Sequence, residues 1–410
     1  MNPLPGQVRA AFSAALHKGL SMGAIRLFLA YGVVLGHECD TARNFQITCD
    51  AGWTLNVIGG RSVVFFYIVS GFLMSYVLDS KYPRTKAGTY QFYKSRFLRI
   101  YPLWWAMVVF STVTVSAAWL HQSPQGIFSA IFLFGSDWLV PFAHYPEQYF
   151  GFFPFRTEIG WTLGAEMTFY LLAPWLLRSD RLALAAMVGS LAVRVVVFFV
   201  VSPHPPSPQE YIIWSYFFLP STFMFFMLGH LVRRVPYIRT ASPWPAFVIL
   251  AAAVWFVSRN GWAPAGDWFR INDYAAAVLF SLALPGIFEA TKNNRVSNWL
   301  GDLTYPLYLT HDMTMSGLFG LWGLVGVPGI TFVNFAKSFS SPYTTGLVLF
   351  VLLAIACSLV ALIAHVLVEL PLRLVAVRLI AGLEPLIRRP RATAAPAVQP
   401  ATSGPVAKAN

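Results

Sequence analysis

At 410 residues the chain is 57% hydrophobic and 16% aromatic, with only 11% charged residues, against about 25% charged in soluble domains. That balance excludes an ordinary soluble domain and leaves an all-α integral membrane protein with many spans. The net charge of +12 raises nucleic acid as a partner, until the basic residues are placed along the chain.

Apolar runs of spanning length fall at about 22–38, 57–78, 100–120, 161–177, 182–201, 211–232, 244–258, 273–290, 303–323 and 345–369, which predicts about ten transmembrane helices. A piece at 127–140 is short and followed by Pro141, and reads as re-entrant or interfacial. No small-residue cleavage site follows the first run, so it is expected to stay as a span. With both termini cytoplasmic, the inner segments carry 21 Lys or Arg and the outer segments five. That asymmetry is what the positive-inside rule expects, and an eleventh span would put Arg178 and Arg181 outside. Topology thus accounts for most of the net charge, with no nucleic acid partner. The chain divides into a cytoplasmic segment 1–21, a membrane domain 22–371 and a basic tail 372–410. From Arg388 onward the tail is Ala- and Pro-rich and is expected to be disordered.

The first helix carries Arg26 and His37 at the two ends of an apolar run. Eleven steps of 100° come within about 20° of whole turns and rise about 16 Å, so both side chains project from one face. Polar groups at such positions in a bilayer are expensive unless something polar lies along them. Arg26, toward the cytoplasm, suits a phosphate, or else snorkels to headgroups. His37, at the outer end, can take a proton from a hydroxyl, or else is an interfacial histidine. Cys39 and Cys49 share the outer loop that follows, where they either bridge or stay as two free thiols; Cys357 reads as core. Three cysteines are too few for a disulfide scaffold, and no spacing points to a metal site.

The second helix holds Gly59, Gly60, Ser70 and Gly71 among aromatics, a composition for close helix packing. No base is indicated beside Ser70, and Arg61 reads as interfacial. The basic loop that follows ends in KSRFLRIYPLWW, where Arg96 and Arg99 share a helix face. They form either a phosphate site or a stop-transfer charge cluster. In the fourth span, Glu166 is expected at nearly the depth of His37, where it would orient the imidazole, hold an acceptor hydroxyl or pair with Arg194. Late in the chain, Asp302, Tyr305, Tyr308, His311 and Asp312 are expected on the inner half of the ninth helix, mostly as hydrogen-bonded packing groups, with His311 away from the depth of His37. Glu369 before Pro371 reads as a helix terminator.

Taken in order from residue 24 to 371, Arg26 with His37, VVFFYIVSGFLM, RFLRIYPLWW, WTLGAEMTFYLLAPWLL, LGDLTYPLYLTH and VELP make the chain resemble the acyltransferase-3 family of integral membrane acyltransferases. The resemblance implies ten membrane helices in a bacterial inner membrane, a cytoplasmic acyl-CoA donor, and transfer of an acyl group, often acetyl, to a hydroxyl of an extracytoplasmic or lipid-linked carbohydrate. It implies that Arg26 and His37 are essential, that Arg96 and Arg99 matter for the donor, and that Glu166 is the family's acidic position. It implies no permanently bound cofactor and no metal; acyl-CoA is a substrate. The competing reading is a transporter or flippase, in which the same polar residues would line a pathway. Such folds commonly show internal repeats with paired broken helices, and no corresponding halves are visible.

Overall fold

The computed structural model describes residues 22–44, 53–114, 131–133, 159–201, 213–234, 243–258, 271–324 and 337–387, with Thr48, Phe128 and Phe335 besides. Most of the 127–140 piece, Cys49, segment 1–21 and the chain after 387 lie outside them. Cys39 is disulfide-bonded and Cys357 is a buried free thiol.

Among the described residues there are helices and no strands. In chain order they are α1 (Gly23–Asn44), α2 (Trp53–Lys81), α3 (Lys86–Thr114), α4 (Gly160–Leu176) and α5 (Asp180–Val201). A π-helical turn (Ile213–Phe217) leads into α6 (Leu219–Thr222) and α7 (Met224–Val232), followed by α8 (Trp244–Ser258), α9 (Ile271–Thr291) and α10 (Arg295–Leu324). The last element is one long helix: α11 (Pro342–Ile363), a π-helical turn (Ala364–Glu369) and α12 (Leu370–Ile387).

Five stretches of the described residues are long and apolar enough to cross a membrane: Gly59–Lys81, Asp180–Val200, Ile213–Val232, Asn272–Thr291 and Pro342–Leu383. Exposed Val109, Val113, Phe199, Val200, Leu359 and Leu367 form apolar surface far beyond what a soluble protein leaves open, and suit lipid tails. The protein is an all-α, multi-pass membrane protein. Outside that set of five are α1, α3 and α10, whose apolar runs are interrupted by charged and polar groups, and these three carry most of the candidate site.

At the centre stands α2. It packs against α1, α4, α7, α8 and α9, and 78% of its apolar stretch is buried against 22% of α5. In lipid no hydrophobic force drives helices together, so small residues at crossings decide how close they come. A Cβ on Gly59 would lie 2.6 Å from Gly36 Cα of α1, and one on Gly71 would lie 1.9 Å from Phe226 O of α7. The close packing expected of these glycines is present.

Two expectations change here. Arg61 is not simply interfacial: it forms a bidentate ion pair with Asp273 of α9, at 3.0 and 3.2 Å. The last helix does not stop at Glu369 but runs to Ile387, so residues 372–387 of the expected tail continue the helix. The reason is the π turn, in which the Leu370 N–H reaches back five residues to His365 O. That wider turn shifts the donors along by one residue just where Pro371 has none, and the helix passes through.

Candidate active site

The site is built on two parallel helices, α1 and α10, which meet where neither has a side chain. A Cβ on Gly23 would fall 1.7 Å from Ser297 O, and one on Gly301 would fall 3.0 Å from Gly23 Cα. This close approach lets Ala24 N–H reach Ser297 Oγ at 3.3 Å, and lets Arg26 Nη2 donate to Gly301 O at 3.3 Å. Arg99 of α3 donates to the same carbonyl at 3.4 Å. Pro306, inside α10, removes the donor that would meet the Asp302 carbonyl and loosens the turn where this acceptor is exposed.

Around that shared carbonyl lies a field of charge. Arg99 Nη1 is 3.7 Å from Asp302 and 3.6 Å from Glu369, and its guanidinium lies 5.9 Å from the Tyr305 ring centre. Glu369 is 1% exposed and accepts from His365 Nδ1 at 2.8 Å. Arg96 is held differently: by the rings of Tyr170 and Phe92 at 5.7 and 5.9 Å, Met74 Sδ at 3.6 Å and Ser95 Oγ at 3.3 Å. Among the described residues it has no carboxylate within ion-pair distance. Arg373 of α12 stands within electrostatic reach of Arg96, Arg99, Glu369 and Asp302. Four guanidinium groups therefore gather around three carboxylates, Glu166, Asp302 and Glu369, which leaves the cluster net positive and suited to an anion with several oxygens.

Glu166 belongs to this end. Its Oε1 accepts from Ser70 Oγ at 2.9 Å and from the Tyr170 hydroxyl, and it lies within electrostatic reach of Arg26. The expected depth beside His37 does not hold: Glu166 sits among Ser70, Tyr170 and Arg26, and α4 starts buried in protein, its first six residues all buried and Trp161 packed against the rings of Tyr216 and Phe217. Arg194 is not its partner either, since that side chain donates to Tyr274 at 2.7 Å and to Ser215 O at 2.6 Å. Ser70, for which no base was indicated, has the Glu166 carboxylate beside it.

At the other end of α1, His37 faces His311, with ring centres 5.6 Å apart and planes 33° apart. Placing His311 on the inner half, away from this depth, is thus corrected. α10 begins at Arg295, eight residues before the expected start, so His311 lies about 24 Å along it. Tyr308 carries the polar line between the two ends: its hydroxyl shares a 2.6 Å hydrogen bond with Thr162 Oγ1, one turn before Glu166, and its ring lies 5.8 Å from those of His311 and Phe66. Tyr305 donates to Ile100 O at 2.7 Å, a packing role as expected.

A family model described as an acyltransferase domain matches residues 20–364, from just before α1 into the last π turn. The chain belongs to the acyltransferase-3 family. It is a membrane acyltransferase, and Arg26, His37, Arg96, Arg99, Glu166 and His311 all fall inside the matched stretch, while Glu369 and Arg373 lie just beyond it. The acyltransferase is similar to Nodulation protein 10 of Rhizobium leguminosarum bv. viciae, at 29% identity over 317 residues, covering 72% of this chain and 82% of the relative. No solved structure matches it.

Residue reading missed three features of this site: Arg373, Tyr170 and the approach of His311 to His37. Arg373 was hidden by assigning it to the tail. Tyr170 is four residues after Glu166, a spacing that puts the two on one helix face, and that signal was there to be used.

Proposed function

We propose that this acyltransferase moves an acyl group, acetyl in the simplest case, from cytoplasmic acyl-CoA to a hydroxyl of an extracytoplasmic or lipid-linked carbohydrate. What supports the reading is the contrast along one helix face: a net-positive arginine cluster at Arg26 and a pair of imidazoles at His37. Arg96, Arg99 and Arg26 hold the donor's phosphates, with Arg373 close by. The donor's arm lies along α1, and the thioester comes to rest near His37. As general base, His37 takes the proton of the acceptor hydroxyl; the hydroxyl oxygen bonds to the thioester carbonyl carbon, the carbon–sulfur bond breaks, and the proton passes to the departing thiolate. Glu166 works on the donor side, fixing Ser70 and Tyr170 beside Arg26 and Arg96.

The test is release of free CoA thiol from acetyl-CoA by protein purified in lipid nanodiscs with candidate glycans, alongside mass analysis of the glycans. Acceptor-dependent thiol release with a matching acetyl mass on the glycan is expected, and is lost in His37→Ala present at normal abundance. Undiminished transfer by His37→Ala removes His37 from the chemistry. Glycan movement across the bilayer without thiol release would favour a flippase instead.

A further inference from the structure

His311 is fully buried, yet only one of its ring nitrogens is satisfied. Nδ1 lies 2.6 Å from Tyr308 O; a carbonyl can only accept, so Nδ1 carries the proton and Nε2 is left with a lone pair. Among the described residues, that Nε2 has no hydrogen-bond partner. A buried acceptor without a donor costs free energy, and packing alone would be better served at this position by phenylalanine or leucine. Among the described residues, the His37 ring is a nearby group able to donate, 5.6 Å away between centres. Ring nitrogens turned toward one another across that separation would lie about 3.3 Å apart, near hydrogen-bond distance, and catalytic contacts that are long without substrate commonly tighten when it binds.

We propose that His311 is the positioning residue of the transfer: its Nε2 accepts the N–H of His37, which fixes the His37 tautomer and leaves the opposite nitrogen bare toward the acceptor hydroxyl. The inference rests on His37 being the general base. The second nitrogen of a base histidine is set by the hydrogen bond its first nitrogen makes, and here the acceptor is a neutral ring whose own proton is committed to a backbone carbonyl. His311 itself neither gains nor loses a proton. During attack the hydroxyl proton goes to the bare nitrogen of His37, the imidazolium keeps its bond to His311 Nε2, and the same proton then leaves that nitrogen for the CoA thiolate, which restores the starting tautomer.

Three variants separate positioning from packing. His311→Phe keeps the volume and removes the acceptor; His311→Gln places an amide oxygen near the Nε2 position; His311→Ala removes both. Purified in nanodiscs and assayed by thiol release, His311→Phe and His311→Ala are expected to lose about tenfold or more in kcat, with KM for acetyl-CoA unchanged. His311→Gln is expected to stay within about threefold of wild type, because it restores the acceptor. In a His37→Ala background, adding His311→Phe should change residual transfer no further. Wild-type kcat in His311→Phe, with His37→Ala inactive, overturns this inference alone. Full activity in His37→Ala overturns the reading of His37 as base, and this inference with it. A drop in His311→Phe that persists in the His37→Ala background assigns His311 to packing, and equally overturns the proposal.

Discussion

The two ends of α1 are solved in opposite ways. At Arg26, charge is held in a fixed frame: two guanidinium groups share the Gly301 carbonyl, and Arg99 in turn faces Asp302 and Glu369. At His37, about 16 Å along the same face, the ring neighbour is another imidazole whose free nitrogen is an acceptor. The first arrangement holds charge in place, which is what binding a multiply charged anion requires. The second sets two imidazoles, groups able to give and take protons near neutral pH, side by side. On the proposed reading, one helix separates donor recognition from chemistry by distance alone.

Breaking this contrast at the His37 end should have the largest effect. His37→Ala is expected to lower kcat by about 10²–10⁴-fold, with no change in thermal unfolding in detergent; a loss of stability of similar size would make the residue structural. At the Arg26 end the effects fall first on the fold. Arg99→Ala leaves the Glu369 carboxylate, 1% exposed, without its cation, and should destabilise by about 3 kcal/mol. Adding Glu369→Gln should recover most of that loss in denaturant titration, since a neutral amide needs no counter-charge. Gly23→Ala forces apart the helices at the Ser297 contact and should cost about 1–3 kcal/mol, with transfer falling because both ends move together. The mildest change sharpens the comparison within the arginine cluster. Arg96→Ala removes a cation held by rings rather than carboxylates, so unfolding should shift little while KM for acyl-CoA rises about tenfold. Equal destabilisation by the Arg96 and Arg99 variants would erase the distinction between an arginine held by rings and one that also pairs with buried Glu369.

What could be read from residues was periodic and local. The shared face of Arg26 and His37 follows from eleven helical steps, and the nearness of Arg96 and Arg99 from a spacing of three. Depth was not legible, because it depends on where each helix begins relative to its neighbours. Glu166 moved from the His37 end to the arginine end because α4 starts among buried residues; His311 moved the opposite way because α10 starts early. Proline misled once as well. Pro371 read as a stop, yet a π turn carries the helix past it and brings Arg373 into the cluster. No residue pattern announces a π turn, since one extra residue in a turn leaves the apolar stripe nearly unchanged.

The bare contact between Gly23 and Gly301 also constrains how the protein can move. At that one point backbone meets backbone, whereas farther along Val34 and Leu35 of α1 share an apolar cluster with Leu307 and Met315 of α10, so a small pivot about the glycines would be felt most at the far end. His37 lies fourteen residues beyond Gly23, a lever arm of about 21 Å. A pivot of only about 5° at the glycines displaces the far end by about 1.8 Å, enough to make or break one hydrogen bond between the two imidazoles. On the proposed reading, a donor that shifted Arg26 against Gly301 would thereby gain mechanical leverage over a proton on the far side of the helix pair.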